Sequence, residues 1–109
     1  MKDKRLKASL EDDELGKRHF GVGWAKIRLR TSSLHGAISL ADFWPPKSGM
    51  ERCHELGGGR IGTFSMDVKQ PFRLLFKPIN GGDVASTDQQ ARWQSITAIE
   101  IIGIEDTHG

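Results

Sequence analysis

Disulfides, membrane spans and metal clusters are the first things that this chain of 109 residues lacks. Cys53 is its one cysteine, so no internal disulfide can form, and neither a second thiol nor a histidine at ligand spacing argues for a metal. No partner completes a nucleophilic triad around it, which leaves Cys53 as a small core residue. No apolar run approaches the ~20 residues that cross a bilayer. Met1-Lys2-Asp3-Lys4-Arg5 does not lead into the apolar segment of a signal peptide, so a cytoplasmic protein without membrane contact is expected. The glycine run 57–59 is not followed by the Lys-Ser/Thr of a phosphate-binding loop and reads as a turn. No stretch has the helix-turn-helix pattern of a DNA reader, and no internal repeat or low-complexity tract is present.

What is present fits one small globular domain spanning 1–109: a 37% hydrophobic content is too high for a disordered chain and too low for a membrane protein. The net charge of +2 is unevenly spread, with ten of the 16 Lys/Arg but six of the 14 Asp/Glu lying in residues 1–50. Attraction to nucleic acid depends on such local clustering rather than on the total.

The first 35 residues read as a helical layer. Leu6 and Leu10 recur at i, i+4 in a charged segment ending before Gly16, and Phe20, Trp24, Ile27, Thr31 and Leu34 continue at helical spacing. Lys17, Arg18, Lys26, Arg28 and Arg30 then project elsewhere on the second helix. Gly21 and Gly23 each oppose this helix by roughly 1 kcal/mol relative to Ala, and Ile27-Arg28-Leu29-Arg30 alternates as a strand would. Residues 36–50, with Pro45-Pro46 and Gly49, read as a connection that packs Phe43 and Trp44 locally.

From residue 51 to 108 the pattern is that of a sheet. His54 to Val68 reads as a hairpin turning at the glycine run, and Pro71 opens a strand with Phe72, Leu74 and Phe76 on one side and Arg73, Leu75 and Lys77 on the other. Asn80 to Gln94 reads as a polar loop, and Ile96 to Ile104, apolar on both faces, as a central strand. Trp24, Trp44 and Trp93 read as packing residues. The fold class predicted is α+β: two N-terminal helices packed on a mostly antiparallel four-stranded sheet.

Three blocks carry a family likeness: Arg52 to Asp67, Pro71 to Pro78, and Ile99 to His108. His54-x-Leu56, the turn Gly59-Arg60-Ile61-Gly62, Arg73 in the next strand and the terminal Glu105-Asp106-Thr107-His108 resemble, in that order, the core of the RelE/HigB-type toxins of bacterial toxin–antitoxin pairs, most closely a HigB-like branch. The resemblance covers roughly residues 17–108. Members of that family usually open with a short strand, which the charged N-terminus here is expected to lack or to keep very short. Thr107 stands where HigB-like toxins tend to carry an aromatic residue.

The resemblance implies a ribosome-dependent mRNA endonuclease that inhibits translation, needs no cofactor or metal, and is neutralised by a HigA-like helix-turn-helix antitoxin. The chemistry implied is attack of a 2′-hydroxyl on its own 3′-phosphate. Histidine suits either proton transfer because imidazole titrates near neutrality, and arginine suits the growing phosphorane charge because its planar fork stays protonated. His54 and His108 are thus the acid/base candidates, Arg60 and Arg73 the phosphate binders, and Asp106 the residue that orients His108 or holds a base. Lys77 adds a phosphate contact, and the basic helix face of Lys17, Arg18, Lys26, Arg28 and Arg30 would meet RNA. Taken alone, His54 reads as a half-buried residue bonded to backbone, His108 as a terminal residue, and Arg60 and Arg73 as salt-bridge formers. The alternative function is a non-catalytic protein-binding module of the same fold, directed at a gyrase-type target or at its antitoxin only.

Overall fold

The computed structural model describes residues 1–4, 18, 21–69, 71–81 and 87–106. The fold is α+β, as predicted. Its sheet has five strands: β1 (Lys2–Lys4), β2 (His54–Glu55), β3 (Phe64–Asp67), β4 (Phe72–Pro78) and β5 (Ala98–Asp106), in the order β1-β5-β4-β3-β2. The last four form an antiparallel array, and β1 adds a fifth, parallel edge through the register Lys2↔Ala98, Asp3↔Ile99 and Lys4↔Glu100. The opening strand, expected to be missing or very short, is there with three residues. Three charged residues carry no alternation, and their extended state comes from pairing with β5. The Met1 ammonium reinforces the edge by donating to the His35 and Ala37 carbonyls.

Helix α1 (Trp24–Gly36) buries Trp24, Ile27, Thr31 and Leu34, the stripe that the helical spacing predicts, together with Arg30. Gly21 and Gly23 lie outside it, in a 3-10 turn (Gly21–Gly23) where Gly21 takes φ +57°. Gly23 also faces the Phe72 ring: a Cβ there would lie 3.5 Å from it. The earlier helix expected over Leu6 and Leu10 lies outside the described residues, as does Phe20.

The expected loop over Asn80–Gln94 contains a second described helix, α2 (Gln89–Gln94), capped by the Asp88 carboxylate accepting from Ala91 N–H at 3.0 Å. It delivers Trp93 to the core. Trp93 is approached edge-on by Trp44 (centroids 5.0 Å) and meets Phe64 at 5.5 Å, while Phe64 stacks on Phe76 at 5.8 Å. Trp24, Ile27, Leu34, Leu40, Cys53, Met66, Leu74, Ile96, Ile99 and Ile101 complete the buried cluster, with Trp44 partly buried against it. Both described helices therefore cover one face of the sheet, the face of Phe64, Met66, Leu74 and Phe76.

Strand β5 starts two residues later than expected and runs to Asp106. Its pairing with β4 shifts between Leu75 and Phe76: Phe76 faces Ile101 whereas Leu75 faces Gly103, so Ile102 is an extra residue, a β-bulge. The hairpin of β2 and β3 is shorter than the sequence implies, and its connection includes a 3-10 turn (Gly58–Arg60). Gly58 (φ +63°) and Gly62 (φ +94°) sit in the left-handed region that glycine tolerates best.

Candidate functional site

The face of the sheet opposite the helices gathers charge. Strand alternation places Ser65 and Asp67 of β3, Arg73, Leu75 and Lys77 of β4, and Glu105 of β5 there, with His54 paired to Ser65 at the edge. One row runs Asp67↔Arg73↔Glu105. Arg60, projected from the Gly58–Arg60 turn, completes it. Its Nη2 donates to Glu105 Oε2 at 2.6 Å, and Arg73 Nη2 donates to the other oxygen, Oε1, at 3.0 Å. Two guanidinium groups from elements far apart in sequence thus converge on one carboxylate. The Arg60 hydrogen bond first, and that of Arg73 second, hold the Glu105 carboxyl down to about 2, and Glu105 in turn raises Arg60.

At the other end of the row, Arg52 lies 3.5 Å from the Asp67 carboxylate. Arg52 holds φ +48°, an uncommon conformation for a residue with a side chain. Its carbonyl oxygen lies 2.7 Å from His54 Nδ1. A carbonyl can only accept, so Nδ1 carries the hydrogen and the neutral ring keeps its lone pair on Nε2. His54 and Arg73 stand two strands apart, their α-carbons separated by roughly 12 Å at ~4.8 Å per strand and ~3.3 Å per residue.

The turn that carries Arg60 is braced from the helix side. Glu55, next to His54, accepts from Gly62 N–H at 2.7 Å and from the buried Arg92 of α2 at 2.5 and 3.0 Å. The Arg92 hydrogen bond is the leading cause that holds the Glu55 carboxyl below its ordinary range. Arg92 also lies over the Phe64 ring at 5.7 Å.

Of the residues singled out from sequence, the structure brings Arg60 and Arg73 together, sets His54 two strands from Arg73 on the same face, and leaves Lys77 exposed farther along β4 on that face. Asp106 is exposed at the end of β5, opposite Phe72 and on the other side of the strand from Glu105. The expected basic helix face is divided. Lys26 and Arg28 are exposed on α1, across the sheet from Arg73, and Arg18 is exposed. Arg30 departs from that face: it is buried, and its Nε donates to the Asp67 carbonyl at 2.8 Å, tying α1 to the end of β3. Lys17 and His108 lie outside the described residues. Sequence reasoning passed over Glu105, although it belongs to the terminal motif, and Arg52, which directly precedes Cys53-His54. Among the described residues no group of three or more His, Cys, Asp or Glu side chains is placed to hold a metal ion.

No family model matches this sequence, and no curated protein matches it. Among solved structures, the chain superimposes on a YoeB/ParE toxin from Agrobacterium tumefaciens with a TM-score of 0.56 at 17% identity, covering 97% of this chain and 98% of the other. The fold is that of the RelE/ParE-type toxins. In this RelE/ParE fold the Arg60–Glu105–Arg73 row lies on the helix-free face of the sheet among the described residues. No helix among the described residues is long and apolar enough to cross a membrane.

Proposed function

We propose that this chain is the toxin of a toxin–antitoxin pair, a HigB-like, ribosome-dependent endoribonuclease acting on mRNA. The observation that carries the reading is the convergence of Arg60 and Arg73 on a single anionic group, with a histidine whose Nε2 keeps its lone pair on the same sheet face. In the proposed reaction His54 Nε2 accepts the proton of a 2′-hydroxyl, whose oxygen forms a bond to the adjacent phosphorus. Arg60 and Arg73 neutralise the phosphorane oxygens. The bond to the 5′-oxygen then breaks, leaving a cyclic phosphate and a 5′-hydroxyl once that oxygen is protonated. His108, with Asp106 orienting it, is the proposed donor on the strength of the terminal motif. Lys77 extends the phosphate track along β4, and Lys17, Arg18, Lys26 and Arg28 meet ribosomal RNA, an attraction that salt weakens. Arg30 is better read as a brace. A HigA-like antitoxin is the proposed protein partner, the cytoplasm the proposed location, and no cofactor or metal is required.

The same arginines favour a second reading, because both already serve an internal ion pair: a non-catalytic RelE/ParE-fold module that binds a gyrase-type target or only its antitoxin. Cleavage of a defined mRNA on purified ribosomes separates the two. Arg73→Ala should lower cleavage by ~10²-fold or more, and His54→Ala should do the same. An intact message with the unaltered protein would abandon the nuclease in favour of the binding module.

A further inference from the structure

Glu105 is an unusual tenant for a phosphate site. Its carboxylate sits where two guanidinium groups point, yet it does not use all that they offer. Arg73 Nε is buried with no acceptor among the described residues, and on the neighbouring strand of the same face Ser65 Oγ is likewise buried and unpartnered. Leaving such donors unmet in the interior is unfavourable. A carboxylate brings two oxygens, and both are taken, one chiefly by Arg60 and one by Arg73. A tetrahedral phosphate brings more oxygens to the same pair of forks and can serve a donor that Glu105 leaves idle.

We propose that Glu105 is a built-in stand-in for phosphate: it occupies the anion site of Arg60 and Arg73, and a phosphate group binds there by displacing it. The inference deepens the proposed function, since it rests on those arginines being phosphate ligands, and it names the residue that sets how tightly they bind. With Glu105 in place the three side chains carry a net charge of +1; with it displaced or neutralised the two arginines present +2. Glu105 also keeps two like charges together while the site is empty, so it preorganises the clamp and competes for it at once. The cost of its removal from the arginines is screened, because the carboxylate is about one-third exposed.

The test uses the full chain and inorganic pyrophosphate at fixed ionic strength, followed through the arginine Nε–Hε resonances. Glu105→Gln keeps the shape of the side chain and should bind pyrophosphate at least tenfold more tightly than the unaltered protein, and the double variant E105Q/R73A should lose that gain. In the unaltered protein the Glu105 carboxyl carbon resonance should move together with those of Arg60 and Arg73 as pyrophosphate is added. Equal or weaker binding by Glu105→Gln, or arginine shifts without a Glu105 shift, overturns the proposal. Tighter pyrophosphate binding in a protein that leaves mRNA intact would support the anion site and reject the nuclease. Ribosomal cleavage without any gain in Glu105→Gln would do the reverse.

Discussion

On the helix-covered face of the sheet the buried Arg92 grips Glu55 through both carboxylate oxygens, with Phe64 beneath its guanidinium; on the opposite face Arg60 and Arg73 share Glu105 in partial exposure, with Arg73 Nε and Ser65 Oγ unmet. Both arrangements are arginine–glutamate pairs, but they answer different needs. The first closes a gap between α2, β2 and the Arg60 turn, and its charges are withdrawn from water. The second leaves two buried donors unsatisfied next to a partly exposed ion pair, which is a poor way to stabilise a fold and a good way to receive an anion.

Substitutions should therefore divide by face. The largest loss of stability is expected from Trp93→Ala, which removes the ring shared by Trp44 and Phe64 and should lower unfolding free energy by about 4 kcal/mol in urea titration. Arg92→Ala should follow, at about 3 kcal/mol, because it strands a half-buried carboxylate. An Arg92→Ala protein as stable as the parent would erase the distinction between the two pairs. On the opposite face, Arg73→Ala should leave the urea midpoint nearly unchanged while abolishing most of the proposed cleavage, so a matching loss of stability would make that face structural too. The smallest effect is in acid. Glu105 is held down to about 2 in the folded protein against about 4.3 in an unfolded chain. Its contribution is present above the unfolded value and is lost as pH falls through the folded one, so the urea midpoint should decline between about pH 4.3 and 2, and Glu105→Gln should flatten that decline.

The same two faces differ in how far the sequence discloses them. Ile27 and Leu34 on α1, and Leu74 and Phe76 on β4, repeat at the periods of a helix and a strand, so the layer and the hairpin array can be read directly. Helix α2 has six residues, mostly polar, and only Arg92 and Trp93 are buried; Asp88 as an N-cap was its one local signal. Strand β1 had none, since its conformation is supplied by a partner almost a hundred residues away. At the site, Arg60, Arg73 and His54 could be chosen by chemical type and motif. That Glu105 would claim both arginines could not, because the pairing depends on register across β4 and β5. Arg30 misled for the reverse reason: a charge counted among surface residues is buried, and its partner is a backbone carbonyl on β3.

The bulge at Ile102 bears on the last of these points. Along β5, Ile99 and Ile101 face the helices, and simple alternation would continue with Gly103 and Glu105 on that same side. One additional residue changes the parity, so Ile104 turns to the core and Glu105 to the arginines. The strand is in effect read in two frames, odd positions inward for its first half and even positions inward for its second. Deleting Ile102 would leave a regular ladder with Ile104 still inward and Glu105 still toward the arginines, whereas inserting one more residue between Ile101 and Gly103 would exchange carboxylate for isoleucine on the two faces. A single irregularity in the ladder thus couples the integrity of the core to the identity of the group that meets Arg60 and Arg73.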